Sequence, residues 1–263
     1  MRKDIRRNWH KINGESYDGY GEDTWCEKAA KLIREKCKAP EAAIHFLPGA
    51  TQANFIVHAA ALSPIQSVIC PDSGHVYAHE AGSIENTGHK LVPLPSTDGK
   101  ISAEQIREVA ASYYNSGEPN YICEPKMVYI SFPTEWGTIY SEQELREIRK
   151  VCDEYEMYLF ADGARLGYGL GSVKNDLTLE KMAELTDVFY IGGTKCGALF
   201  GEALVITNKK LARKFRTYMK QNGAVLAKGW LLGMQFCALL EDDTYEKNDS
   251  PGRCLCFGDQ GCI

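Results

Sequence analysis

The chain has 263 residues, 44% of them hydrophobic and 25% charged, and a formal net charge of −5 at pH 7. That length buries a sizeable core in one large domain, and the composition is that of an ordinary soluble globular protein. The acidic balance excludes a nucleic-acid footprint, and no apolar stretch reaches bilayer length. The start, Met1-Arg2-Lys3-Asp4-Ile5-Arg6-Arg7, lacks the apolar centre of a secretion signal, so a cytoplasmic protein is expected.

Residues 1–20 are polar and without a period, and residues 1–18 read as an N-terminal arm. An amphipathic helix is expected over 24–37, with Trp25, Ala29, Leu32, Ile33 and Cys37 on one face. Ile44-His45-Phe46-Leu47 is a short strand. The break Pro48-Gly49-Ala50 then leads to Thr51, a cap for a helix running to about Leu62. A strand at 67–70, a helix near 75–82 and a strand at 89–94 follow, then a helix from Ser102 to Ala111 capped by Ser102. Lys126 to Ser131 is a strand, and Ser141 caps a helix carrying Leu145, Ile148, Cys152 and Tyr155 on one side. The series continues with a strand at 157–161, a helix near 178–185 and strands at 187–191 and 203–207. Helical signal then persists from Lys209 to about Leu240.

Alternating short apolar strands and helices predict an α/β fold, a mostly parallel sheet between helices, over residues 19–240. Residues 241–263 read as an irregular, cysteine-rich tail that frays. Of the ten cysteines, seven are scattered singly through apolar patterns and are expected as reduced thiols. Cys254, Cys256 and Cys262 crowd the tail, but a zinc site would need a fourth ligand and a supporting fold, so no metal is expected.

Two strand ends carry the chemistry. Met157-Tyr158-Leu159-Phe160-Ala161 ends in Asp162-Gly163-Ala164-Arg165, and Asp187-Val188-Phe189-Tyr190-Ile191 ends in Gly192-Gly193-Thr194-Lys195. Ligands of open α/β sheets bind beyond the carboxyl ends of strands, so the acid and the amine should share a crevice. A lysine to condense with an aldehyde and a carboxylate to hold a pyridine nitrogen protonated are what a pyridoxal-phosphate enzyme needs. The helix start at Gly49, Ala50 and Thr51 suits a phosphate, because free backbone N–H groups and the positive dipole end face it. His75, after the strand at 67–70, has a flat ring that can stack on a flat cofactor, with His79 and Glu80 as a polar cluster near the same edge. The Arg165 fork suits a substrate carboxylate. Taken singly, each residue has a plainer alternative: a helix cap at Thr51, a turn histidine at 75, an ion pair between Arg165 and Asp162, a solvated loop lysine at 195.

Asp162-Gly163-Ala164-Arg165-Leu166 and the segment from Asp187 to Ile206 resemble the threonine aldolase and β-eliminating lyase family of fold-type I pyridoxal-phosphate enzymes. Tyr20-Gly21-Glu22-Asp23 is similar to that family's N-terminal active-site stretch, and the resemblance covers roughly residues 19–240. It implies that Lys195 carries the cofactor, Asp162 pairs with its ring nitrogen and His75 stacks on its ring. Gly49, Ala50 and Thr51 would hold the phosphate. Arg165 would bind the substrate carboxylate or the cofactor's phenolic oxygen, and Lys228 would lie near the phosphate. The family pattern has serine-glycine-threonine where this chain has Gly49-Ala50-Thr51, so the Ala50 methyl is expected to crowd the phosphate.

The implied activity is that of an aldehyde-lyase of amino-acid metabolism, cleaving a β-hydroxy amino acid of threonine or allo-threonine type to glycine and an aldehyde. β-Elimination from an amino acid is the same-class alternative. His75, His79 or an activated water is the expected base. A homodimer or homotetramer, with active-site residues crossing between subunits, is implied as well. The family's Ser-Asp arm motif is not seen in residues 1–16. The match fades near Leu240, where the family continues into a small C-terminal domain. The chain therefore reads as a truncated or frame-altered member, and a cofactor-binding but catalytically impaired fragment is the alternative reading.

Overall fold

A computed structural model of the chain describes residues 14–241 together with Ile5, His10, Ile12 and Tyr245. Seven strands form one sheet: β1 (Ala43–Leu47), β2 (Gln66–Pro71), β3 (Lys90–Leu94), β4 (Glu124–Ser131), β5 (Tyr158–Asp162), β6 (Val188–Gly192) and β7 (Glu202–Ile206). Their spatial order is β1-β7-β6-β5-β4-β2-β3. The pairs β2–β3, β2–β4, β4–β5 and β5–β6 are parallel, while β7 runs against both β6 and β1. The antiparallel β7 has a functional consequence: its first residue, Glu202, lies opposite Gly192, the last residue of β6.

The central strands are rich in β-branched and aromatic residues because both faces of the sheet are covered. Along β4, Met127 and Tyr129 enter one core cluster and Val128 and Ile130 the other. Tyr129, Phe160 and Tyr190 on adjacent strands share the first of these faces, and all are fully buried. Burying each such side chain contributes about 1.5–3 kcal/mol. The helix Glu142–Glu154 covers the opposite face with Leu145, Ile148, Val151 and Cys152, spaced for one helical stripe. It and the helix Ala103–Tyr114 each start with a reciprocal capping box, Ser141 with Glu144 and Ser102 with Gln105. Each such cap stabilises its helix by about 1 kcal/mol.

Several expected elements differ in their ends. The helix expected from Thr51 is Ala50–Ala61, with Gly49 in the cap position and no side-chain cap; Thr51 is exposed in its first turn. The helix expected over 75–82 is a single turn, His75–Ala78. Ala81 and Gly82 both take positive φ there, which breaks the helix beside the buried Glu80. The helical signal of 209–240 resolves into Lys209–Ala212, Phe215–Gln221 and Trp230–Leu240, with breaks at Lys214 and Gly223, again at positive φ.

The two ends hold more core than their polarity suggests. Ile5 and Ile12 are buried in the main core cluster. Tyr245, inside the stretch expected to fray, is buried too, and its hydroxyl donates to the Gly192 carbonyl at 2.9 Å. The tail cysteines Cys254, Cys256 and Cys262 lie outside the described residues. Among the described residues, no helix is long and apolar enough to cross a membrane.

Candidate functional site

The ends of β5 and β6 come unusually close. A Cβ on Gly163 would lie 1.8 Å from the Tyr190 carbonyl oxygen, and one on Gly192 would lie 2.4 Å from the carbonyl oxygens of Gly163 and Ala164. Only glycine fits at either position, and that approach turns the residues beyond both strands into one crevice. We expect Gly163→Ala to destabilise the fold by at least about 2 kcal/mol through forced backbone displacement, read as a lowered midpoint in denaturant unfolding.

The crevice is a cavity of about 330 Å³, within the size range of small-molecule sites. Pro48 to Gln52 reach it after β1, His75 after β2, Glu135 after β4, Asp162 and Arg165 at β5, Thr194 and Lys195 after β6, and Glu202 at the start of β7. Sequence reasoning named Gly49, Ala50, Thr51, His75, Asp162, Arg165 and Lys195, and the fold brings all seven to this one cavity. His79 and Lys228 do not line it. His79 is exposed at the end of its helical turn. Lys228 is exposed beside Gly229, which lines a separate cavity of about 320 Å³ with Tyr20, Gly21, Glu22 and Asp23. The Tyr20 amide donates to the Ala227 carbonyl, tying that stretch to the Lys228 loop. The acid–amine chemistry belongs to the first cavity, since the second holds no lysine.

Asp162 is buried at the cavity floor and well held. Its Oδ2 accepts from the Tyr129 hydroxyl at 2.5 Å and the Asn54 amide at 3.2 Å, and its Oδ1 accepts from the Ala164 N–H at 2.9 Å. Burial, then the nearby Asp162 charge, pushes the Tyr129 phenol well above its ordinary range, so it remains a donor. Asn54 also donates to Glu80 Oε1 at 2.7 Å, and the same oxygen meets His75 Nδ1 at 2.8 Å. Glu80 therefore pairs with His75 and links the two sides of the floor.

The bond to Glu80 raises the His75 pKa above the ordinary histidine value, against a smaller opposing effect of burial. A group whose folded pKa is raised contributes stability that is full below its unfolded pKa and lost as pH rises through the folded one. Glu80→Gln should therefore cost more stability at pH 6 than at pH 8.5, where the His75 charge no longer adds to the weakened hydrogen bonds with Asn54, His75 and Ser83. Thermal unfolding of wild type and variant at the two pH values measures the difference.

Lys195 stands exposed at the end of the Gly192-Gly193-Thr194 turn, whose Gly193 N–H donates to Glu202 Oε2 at 2.8 Å. Partial desolvation, then the Arg165 charge, lowers its ammonium pKa, which favours the neutral, nucleophilic amine. Burial pushes the Glu202 carboxyl up to about 7. Burial, then Asp162, raises Glu135 as well. Sequence reasoning missed both acids. The available signal was positional: Glu135 comes shortly after the β4 run, and Glu202 directly precedes an apolar run.

The residues fit pyridoxal phosphate by the chemistry of their donor set. An amine, a buried hydrogen-bonded carboxylate and an imidazole surround one cavity. The 12-residue helix Ala50–Ala61 opens onto it with no side-chain cap and no acid in its first turn, leaving its N–H groups for an anion. Ala50, expected to crowd the phosphate, lines the cavity and also packs against the core cluster on the Tyr129 face.

Comparison with known proteins agrees with this geometry. The beta-eliminating lyase family model matches residues 7–251, reaching further at both ends than the resemblance read over 19–240. A low specificity L-threonine aldolase of Pseudomonas sp. (strain NCIMB 10558) is 33% identical over 240 residues, covering 89% of this chain and 67% of that protein. Its counterpart from Pseudomonas aeruginosa is 31% identical over 241 residues, with the same coverage. A solved structure of Leishmania major threonine aldolase superposes with a TM-score of 0.90 at 46% identity, covering 94% of this chain and 71% of that one.

Proposed function

This chain belongs to the beta-eliminating lyase family, with the fold of fold-type I pyridoxal-phosphate enzymes, and on that premise we propose that it is an aldehyde-lyase cleaving threonine or allo-threonine to glycine and acetaldehyde. The observation that carries the reading is the meeting of Lys195 and Asp162 in one cavity, the acid buried and fixed by Tyr129, Asn54 and Ala164.

Pyridoxal phosphate, when bound, supplies an aldehyde that condenses with amines and a ring that accepts the electrons of a bond broken at Cα. Lys195 would carry it through its amine, and Asp162 would hold its ring nitrogen protonated. The N–H groups at Ala50, Thr51 and Gln52 would hold the phosphate, and His75, braced by Glu80, would flank the ring. Arg165 would pair bidentately with the substrate carboxylate, orienting the amino acid so that the Cα–Cβ bond is the one broken. The fold keeps Asp162 and Tyr129 away from water, which strengthens the charge that Asp162 presents.

The family resemblance implies a homodimer or homotetramer sharing active-site residues. Lys228 and Tyr20 to Asp23 lie off their own chain's cavity, and a neighbouring subunit is where they would serve. A cytoplasmic location remains the reading of the sequence.

Borohydride treatment of the purified chain with pyridoxal phosphate should fix the cofactor to Lys195, found by peptide mass, and the untreated complex should release glycine from L-threonine or L-allo-threonine. Labelling at another lysine would overturn the site. Labelling without turnover of either amino acid would favour the impaired-fragment reading.

A further inference from the structure

Strand alternation brings two phenols beneath Asp162. Phe160 and Asp162, two apart on β5, point to the same face of the sheet. Tyr129 of β4 lies opposite Phe160 on that face, and Tyr190 of β6 joins the same core cluster. A strand rises about 3.3 Å per residue, so Asp162 stands about 6.6 Å beyond Phe160, a span that a phenol leaning along the strand covers.

The two phenols are placed differently. The Tyr129 hydroxyl donates to Asp162 Oδ2 at 2.5 Å, the short distance of a charge-assisted bond, and both side chains are buried. Burial, then the carboxylates of Asp162 and Glu135, keeps that phenol protonated as a fixed donor. The Tyr190 hydroxyl is as deeply buried and feels the Asp162 charge, yet it makes no hydrogen bond to another described residue. Holding Asp162 in place does not require Tyr129, because Asn54 donates to the same oxygen at 3.2 Å and the Ala164 N–H to the other at 2.9 Å. What Tyr129 adds is a strong donor to a charge in a low-dielectric setting.

We propose that Tyr129 is a positioning residue acting through Asp162: its hydrogen bond keeps the proton shared by Asp162 and the cofactor's ring nitrogen on the nitrogen. The proposal rests on the pairing of Asp162 with the ring read above. A donor to a carboxylate stabilises its charged form and so weakens its pull on a shared proton. Asp162 Oδ1 accepts from the Ala164 N–H alone and keeps a lone pair for a ring N–H. With the Tyr129 hydroxyl gone, the carboxylate draws the proton back, and a ring without it accepts electrons less well.

The test loads the chain with pyridoxal phosphate isotopically labelled at its ring nitrogen and reads that nitrogen by NMR, beside kcat. Wild type should give the resonance of a protonated ring, and Asp162→Asn that of an unprotonated one. Tyr129→Phe keeps the ring packed against His58 and Phe160. It should move the resonance part of the way toward that of Asp162→Asn and retain borohydride labelling at Lys195. Its kcat should fall about 10–100-fold, the worth of one hydrogen bond to a charged group. Tyr190→Phe should leave the resonance at the wild-type position. Should the Phe variant not fold, Tyr129→Met fills the same buried space without a donor and is read in the same way. A Tyr129 variant with the wild-type resonance overturns the proposal whatever its kcat. Equal movements in Tyr129→Phe and Tyr190→Phe overturn it too, since packing alone would give them. A wild-type resonance in Asp162→Asn instead removes Asp162 as the partner of the ring, and the reading beneath the proposal fails with it.

Discussion

Lys195→Ala abolishes both labelling and turnover: borohydride no longer fixes pyridoxal phosphate to the chain, the visible absorbance of the bound cofactor is lost, and threonine cleavage falls at least ~10³-fold. The expectation rests on position and charge. Lys195 is the lysine that lines the cavity, and desolvation together with Arg165 lowers its pKa, which favours the neutral, nucleophilic amine. The fold should be untouched, because Lys195 is exposed and the turn before it is held by main-chain bonds and by Glu202 rather than by the lysine side chain. Unfolding curves of wild type and variant without cofactor should therefore superimpose. A variant with an unchanged cofactor spectrum would show that another residue anchors the cofactor.

Asp162→Asn separates charge from packing. The amide keeps the size of the carboxylate and can still accept from the Ala164 N–H on its one oxygen, with its NH2 turned to the Tyr129 oxygen, but it cannot carry a negative charge to the ring nitrogen. Removing a preorganised electrostatic partner costs about 10²–10³-fold in turnover. We expect kcat to fall by that amount while labelling of Lys195 persists and cofactor affinity changes by less than about tenfold. Equal losses in binding and turnover would instead make Asp162 a structural residue of the cavity floor.

The strands were legible because their residues are apolar on both faces, and their order along the chain points to an α/β sheet. Asp162 and Lys195 were legible for the same reason: each follows an apolar run that could only be a strand, and strand ends line the crevice. What sequence could not supply was closeness across the sheet. That Gly163 and Gly192 let two strand ends touch is a property of the packed backbone. That β7 runs backwards, and so delivers Glu202 to the site, follows from sheet topology rather than from the residues of β7. Glu135 was hidden in the same way, in a loop whose return to the cavity no local pattern encodes. Glu80, read with His79 as a polar cluster near the same edge, pairs instead with His75, beside the helix break at Ala81 and Gly82. Ile5, Ile12 and Tyr245 join the core from segments too polar to announce it.

The central claim, aldol cleavage at a Lys195-anchored cofactor, stands or falls on products. The cofactor-loaded chain incubated with L-threonine and, separately, L-allo-threonine should yield glycine and acetaldehyde in equal amounts from at least one of them, with no ammonia, when amino acid, aldehyde and ammonia are quantified in the same sample. Ammonia and a keto acid in place of glycine would contradict the account and assign the site to β-elimination.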